Sequence, residues 1–284
     1  MKKVLITGAN GFVGSYLKQQ FKDRKVFLTD IEGNGLIKCD LSSRESALNL
    51  IEKVRPDEVY HLAAISSPQI TDRSLVEKVN VTGTVNLLEA VRKFSPSAKV
   101  LLVSSGYVYG NRRTPATEKS RPRPVGLYAE SKLRMEKEAF DNFPDLKIII
   151  ARPFTHSGKG QPLGLFFPDM AFKITEAKKQ ANPEIVVYNP QTRRDFTHVS
   201  DVVEAYKLII KKGVVGEIYN ICLGSSYTIR ELVKRMARRS ELETYKIKEI
   251  KHGIVLDLMG NNSKIKKLGW NPKYNINQII DDFR

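Results

Sequence analysis

The chain has 284 residues, of which 41% are hydrophobic and 27% charged; that balance belongs to a folded chain with one large α/β unit or two lobes, not to a disordered one. No apolar run approaches the roughly 20 residues that cross a bilayer, so no membrane partner is expected. The formal charge of +16 includes Arg230, Lys234 and Arg238 at helical spacing, but no nucleic-acid motif accompanies them; the stripe reads as a solvated helix face with some attraction for anionic substrates, and no nucleic acid is expected as a partner.

Met1 to Gly8 has a basic start and an apolar stretch too short for a signal peptide, and reads as a first strand. In chain order, Lys3 to Thr7, Lys25 to Asp30, Glu58 to Ala63, Lys99 to Ser104 and Lys147 to Ala151 are short β-branched runs of the kind that form buried strands. Amphipathic stretches alternate with them: Gly11 to Phe21, Ser43 to Val54, Ser74 to Phe94 and Leu127 to Phe143. The alternation predicts an α/β fold, a Rossmann-like doubly wound parallel sheet whose strand C-termini share one ligand-binding rim. Gly158 to Pro168 reads as a loop leaving the sheet, Ser200 to Lys211 as a helix, and Glu217 to Ile221 as a strand. Thr228 to Arg238 is a further helix, with Thr228 as N-cap and Glu231 at the capping-box position. Residues 1–158 plus about 196–222 are expected to form the dinucleotide-binding domain. Residues from about 159–195 plus 223–284 then form a smaller C-terminal substrate lobe. Cys39 and Cys222 lie far apart in no ligand pattern, and His156 and His198 lack metal-ligand spacing. The expectations are a reducing cytoplasm and no metal.

Gly8-Ala9-Asn10-Gly11-Phe12-Val13-Gly14 follows a strand and opens a helix, the context a phosphate-binding turn requires. Gly8 permits the tight turn, Gly11 lets the backbone approach a pyrophosphate, and Gly14 allows close packing of helix on strand. Asp30 ends the second strand, where a carboxylate accepts hydrogen bonds from ribose hydroxyls and repels a 2′-phosphate. The cofactor is therefore NAD(H) or NADP(H), leaning to NAD(H), although Lys38 or Arg44 is within range of the same site. Tyr128 and Lys132 stand four residues apart on one helical face, where an ammonium is expected to lower a phenol pKa of about 10. Ser104-Ser105-Gly106-Tyr107-Val108-Tyr109-Gly110 closes a strand at the same rim and supplies a hydroxyl to polarise a carbonyl.

These motifs, with Asp40-Leu41, His61-Leu62-Ala63-Ala64, Asn80-Val81-Thr82-Gly83-Thr84 and Arg152-Pro153-Phe154, resemble the extended short-chain dehydrogenase/reductase family of nucleotide-sugar enzymes over essentially the whole chain. The resemblance implies catalysis by Ser105, Tyr128 and Lys132: Tyr128 as acid/base, Ser105 orienting the reacting oxygen, Lys132 holding the nicotinamide ribose. It implies that Asn10, Phe12 and Val13 join the glycines on the cofactor, and that Asp40 and Leu41 lie near the adenine. Leu62, Ala63, Ala64, Asn80, Ser104, Pro153 and Phe154 complete that pocket, and His61 packs without chemistry.

The resemblance further implies a nucleotide-diphosphate sugar as substrate, with Arg194 on the diphosphate and Thr155, where an Asn is usual, beside the sugar. It also implies a homodimer through the helices at Ser74 to Phe94 and Leu127 to Phe143. Within the family, Arg152 to Gln161, Arg194 to Asp201 and Val215 to Glu231 are most similar to GDP-6-deoxy-D-mannose reductases. A 4,6-dehydratase needs an acid and a base just after the Ser, where this chain has Gly106 and Tyr107. A 4-reductase or a 4-epimerase remains; a non-catalytic dinucleotide sensor is disfavoured by the retention of Ser105, Tyr128 and Lys132.

Overall fold

The computed structural model describes residues 1–21, 23–66, 71–112, 114–251 and 257–284. The first half runs β1 (Lys3–Thr7), α1 (Phe12–Leu17), β2 (Lys25–Asp30), β3 (Ile37–Lys38), α2 (Arg44–Val54), β4 (Glu58–His61), α3 (Arg73–Glu77), α4 (Gly83–Phe94), β5 (Lys99–Val103), α5 (Leu127–Asn142) and β6 (Lys147–Pro153). The second half adds β7 (Thr155–Ser157), α6 (Phe166–Ala177), β8 (Glu184–Tyr188), β9 (Arg193–His198), α7 (Val199–Lys212) and β10 (Ile218–Ile221). It ends with β11 (Ser226–Thr228), α8 (Ile229–Arg239), β12 (Lys246–Ile250), α9 (Ser263–Lys267) and α10 (Ile276–Asp281).

Seven strands make the main sheet in the order β10-β6-β5-β4-β1-β2-β3, and its pairings are all parallel. The apolar runs explain this: Val4 to Ile6, Val100 to Leu102 and Ile148 to Ile150 are buried on both faces of the sheet, as parallel strands under two helical layers must be. On one face Ile51 of α2, Leu87 of α4 and Met135 of α5 share a core. On the other, Leu17 of α1 packs with Val202, Tyr206 and Ile209 of α7. Chain order reverses at β1, which lies between β2 and β4; ligands bind at such a switch point, beyond the strand C-termini.

A separate core joins α6, α8 and α10 through Phe167, Ile174, Leu232, Met236 and Ile279. It is accompanied by a three-stranded sheet, β11-β9-β7, and a β12-β8 pair. Asp201 in the first turn of α7 fastens the C-terminal segment to the main sheet, accepting the Lys273 and Tyr274 N–H groups at 2.9 and 3.0 Å.

Two departures from the sequence expectation bear on the site. The predicted loop at Gly158 to Pro168 ends early, because α6 begins at Phe166 with Pro168 in its first turn; there the missing proline N–H has no intrahelical partner to lose. The predicted single helix at Ser74 to Phe94 is interrupted by a wide π turn over Lys78–Thr82, in which the Gly83 N–H reaches back to Lys78 O. Asn80 lies in that turn. Elsewhere the caps are as expected: Thr228 and Glu231 form both halves of a capping box at the start of α8. Among the described residues no helix is long and apolar enough to cross a membrane.

Candidate active site

The glycine turn is built by close backbone approach. Gly8 sits at φ +68°, and a Cβ there would lie 2.7 Å from the Ala63 nitrogen. A Cβ on Gly14 would collide with Gly8 O and come within 2.8 Å of the Ala9 Cα. No side chain caps α1 at Gly11, so its first-turn N–H groups face the rim. Asn10 N–H and Ile31 N–H donate to the two Asp30 oxygens at 3.0 and 2.8 Å. The carboxylate is thereby fixed beside the turn with its outer lone pairs open. Phe12 stacks edge-on against Tyr16, and Val13 faces the main cavity.

That cavity, about 600 Å³, brings together Ser105, Tyr128, Lys132, Thr155 and Arg194 at the C-terminal rim. Ser104 and Ser105 follow directly on β5, while Tyr128 and Lys132 lie on successive turns of α5. The Lys132 ammonium, 3% exposed, donates to Val103 O at 2.8 Å and lies 6.0 Å from the centre of the Tyr128 ring. Burial lowers this lysine to about 8, with Glu136 acting in the opposite sense. Burial also pushes the Tyr128 phenol up to about 12; its hydrogen bond with Ser105 pulls it down, and Tyr107, whose ring packs edge-on against it, adds to the rise. The expected lowering of the phenol by Lys132 is thus not met here, because desolvation penalises both charges and the ammonium is turned to the β5 carbonyl.

Leu62 and Ala64 line the same cavity; Leu62 N–H and Ala63 N–H hydrogen-bond to Thr7 O and Oγ1 at 3.2 and 3.3 Å. Pro153 lines it too, while Phe154 is buried beneath Gly106, where a Cβ would meet its ring at 2.8 Å. Arg194 is free of acidic partners among the described residues, its Nη1 donating only to Arg193 O at 3.2 Å. The neighbouring Asp195 turns away to accept Leu223 and Gly224 N–H groups at 2.8 and 2.9 Å. An Arg194–Asp195 surface pair is therefore absent. Leu41 packs in the core against Gly83, and the Asp40 carboxylate accepts Ser42 N–H at 2.9 Å in the turn before α2. The Asn80 amide is engaged within the protein, with Ile65 N–H and O at 2.8 and 3.0 Å and Ser131 Oγ at 2.9 Å. His61, lowered by burial to about 3, bridges Thr7 and Thr84 as a neutral ring.

Residues 4–222 match the model of the NAD dependent epimerase/dehydratase family. The chain belongs to that family. A curated relative, GDP-6-deoxy-D-mannose reductase from Pseudomonas aeruginosa, is 29% identical over 98% of this chain and 95% of its own length. The solved structure of RMD from Pseudomonas aeruginosa complexed with NADPH superposes with a TM-score of 0.86 at 29% identity, covering 100% of this chain and 99% of that one. UDP-glucose 4-epimerase from Thermus thermophilus, in complex with NAD, gives 0.85 at 26% identity over 99% of each chain. The chain is accordingly an NAD(P)-dependent enzyme of the extended short-chain dehydrogenase/reductase type. The residues at its rim fit such a dinucleotide: the backbone packing at Gly8 and Gly14 admits no Cβ, and α1 opens on the turn with no side-chain cap on its first N–H groups.

Three residues at this family site carry no motif signal. Tyr206 reaches the cavity from α7 with its hydroxyl buried and unpartnered. His156 follows Thr155, and both face the cavity. Glu136 continues the Tyr128–Lys132 face of α5 by one more turn; its two oxygens accept Arg152 Nε at 2.8 Å and Nη2 at 2.5 Å, and Ser104 Oγ donates to the same carboxylate. Only an i, i+4, i+8 reading of α5 would have found it. Among the described residues no cluster suits a metal ion. A second cavity, about 430 Å³, opens at the opposite, N-terminal end of the strands. Most of its cations are already engaged: Lys2 and Arg24 pair with Glu58, Lys99 donates to Ile210 O, and Lys207 bonds Gln20 and Glu204.

Glu136 is the charge that keeps Lys132 protonated against desolvation. Heteronuclear NMR titration of the Lys132 ammonium should give a midpoint near 8, with the charge present below and lost above it. Glu136→Gln should move the midpoint to lower pH and destabilise the fold by about 3 kcal/mol, because the buried Arg152 loses its counter-charge. An unmoved midpoint would show that Glu136 does not act on the lysine.

Proposed function

We propose that this enzyme reduces the 4-keto group of a nucleotide-linked 4-keto-6-deoxyhexose, converting GDP-4-dehydro-6-deoxy-D-mannose to GDP-D-rhamnose with NAD(P)H. The observation that carries the reading is a cavity with a Ser–Tyr–Lys group and an unpaired arginine but, among the described residues, no carboxylate. Removing water across C5 and C6 requires an added acid and base at those carbons. Phe154 packed on Gly106 leaves no volume for one, and Tyr107 occupies the next position. Hydride transfer at C4 requires only one acid/base. Similarity to the Pseudomonas reductase along nearly the full length supports the same chemistry.

In this reading the bound nicotinamide supplies the hydride. Tyr128 delivers the accompanying proton to the C4 oxygen, so that hydride and proton together convert the ketone to the alcohol. A phenol held at about 12 stays protonated at neutral pH, which suits a group that must give a proton rather than take one. Ser105, on the same cavity lining as the phenol, orients the same oxygen. Lys132 is the donor to the nicotinamide ribose, and the Arg194 guanidinium forks onto the diphosphate. The main-sheet part of the chain is the dinucleotide domain in this scheme, and the core of α6, α8 and α10 is the substrate lobe. The 4-epimerase alternative is kept by the likeness to the NAD-bound Thermus enzyme; it predicts product without net consumption of NAD(P)H.

Incubation with a panel of 4-keto nucleotide sugars should oxidise one NAD(P)H per alcohol formed. Tyr128→Phe should lower turnover by about two to four orders of magnitude with cofactor affinity nearly intact. Lys132→Ala should lose both, and Arg194→Ala should chiefly raise KM. Full activity of Tyr128→Phe on a verified substrate would sink the assignment. NADH is expected to bind more tightly than NADPH, because Asp30 is held beside the glycine turn. The opposing candidates are constrained: Arg44 is paired with Glu89 at 2.6 Å, although Lys38 stands opposite Asp30 in the β2–β3 register. Fluorescence titration with each cofactor decides, and a clear NADPH preference would mean that Lys38 prevails. Association into a homodimer through α4 and α5 belongs to the same reading; a monomer in sedimentation at micromolar concentration would refute it.

A further inference from the structure

His156 lines the cavity beside Thr155 and Arg194. Its Nδ1 lies 2.9 Å from the Phe154 carbonyl oxygen. A carbonyl can only accept, so Nδ1 carries the hydrogen, and burial, which lowers the ring's pKa, keeps the imidazole neutral. Nε2 is then a lone pair with no hydrogen to give. Among the described residues nothing donates to it. The other polar side chains around it do not duplicate this property. Lys132 and Arg194 are donors only, and the hydroxyls of the lining donate as readily as they accept. Gln161 gives its amide nitrogen to His156 O at 3.0 Å and takes the Ser157 hydroxyl at 2.5 Å. Ser105 Oγ accepts the Tyr107 N–H at 3.2 Å and lies beside the Tyr128 phenol, whose pKa it lowers. Carboxylates, the usual acceptors for sugar hydroxyls, are absent from the lining among the described residues.

The substrate proposed above has few hydroxyls to offer. In a 4-keto-6-deoxyhexose linked through C1, the ring retains them only at C2 and C3. We propose that His156 Nε2 accepts a hydrogen bond from the C2 or C3 hydroxyl of the substrate's hexose, making His156 a specificity-determining residue of the site. Beside it Thr155 also lines the cavity, its hydroxyl buried without a partner. The inference rests on the proposed function, because it takes the ligand of this cavity to be a nucleotide sugar.

The test compares wild type with His156→Phe, which keeps a ring of similar shape, and His156→Gln, which returns an acceptor oxygen. Dissociation constants are measured by calorimetry for GDP-4-dehydro-6-deoxy-D-mannose, GDP alone and NADH, together with steady-state kinetics. His156→Phe should weaken the sugar nucleotide by about two- to tenfold, the worth of one neutral hydrogen bond, and raise KM to match. Turnover should stay within about twofold, and GDP and NADH binding should be unchanged. His156→Gln should recover most of the loss. An unchanged affinity for the sugar nucleotide in His156→Phe overturns the inference while leaving the proposed function intact. Equal weakening toward GDP or NADH overturns it too, by showing a merely structural role. A wild type that neither binds nor reduces the sugar nucleotide overturns the proposed function, and this inference with it.

Discussion

A buried ammonium is the constraint around which the active-site half of this molecule is arranged. Lys132 is 3% exposed, and an unpaired charge at that depth would neutralise itself rather than stay protonated. Its immediate partner is a backbone carbonyl at the end of β5, which orients the ammonium but brings no counter-charge. The counter-charge is Glu136, one turn along α5, and that carboxylate is itself held by Arg152 of β6 and Ser104. Arg152 in turn lies over the Tyr109 ring, whose hydroxyl donates to Asn220 of β10 at 2.7 Å. Three neighbouring strands and one helix are thus tied together by the groups that let a lysine remain charged in a dry place.

The same desolvation sets the state of Tyr128. Spacing alone suggests an ammonium that acidifies a phenol, yet burial raises the phenol and lowers the lysine, pushing both groups toward neutrality. A proton donor for a ketone needs the phenol protonated, and a dry environment provides that without any ion pair. A positive nicotinamide, as in the reverse direction, would favour the phenolate instead. In the proposed reduction, the protonated state of the phenol would follow from burial more than from the Tyr128–Lys132 spacing.

The main sheet is legible in the sequence because its signals are local and repeated. β1 and β2 occupy Lys3–Thr7 and Lys25–Asp30, as the apolar runs imply, and the glycine turn between β1 and α1 follows from residues that cannot carry a Cβ there. β7, β9 and β11 are not legible. They are strands of three to six residues whose partners lie far along the chain, and Arg193-Arg194-Asp195 alternates in no way that periodicity detects. The places of His156 and Tyr206 on the cavity are not legible for a different reason. What sets each apart is its place on the cavity lining, a property of the packing rather than of the sequence. Glu136 stands in plain view at helical spacing, but its importance depends on Arg152 arriving from β6.

Within a family whose model carries both epimerase and dehydratase in its description, the choice of reaction on a shared rim has to come from a few side chains. In the proposed reduction, steric packing would make part of that choice. Phe154 lies against Gly106 so closely that any side chain at this position would strike its ring, and Phe154 is held there by stacking on Tyr109 and by its backbone N–H bond to Ile221 O at 2.8 Å. Gly106 is therefore fixed by the core beneath it, not merely unused. Introducing an acid at 106 would require moving Phe154, and with it the Tyr109–Arg152 stack that supports Glu136 and hence Lys132. In the proposed reading, the absence of an acid at 106 and the support of the charged lysine rest on one run of contacts, from Gly106 through Phe154, Tyr109 and Arg152 to Glu136.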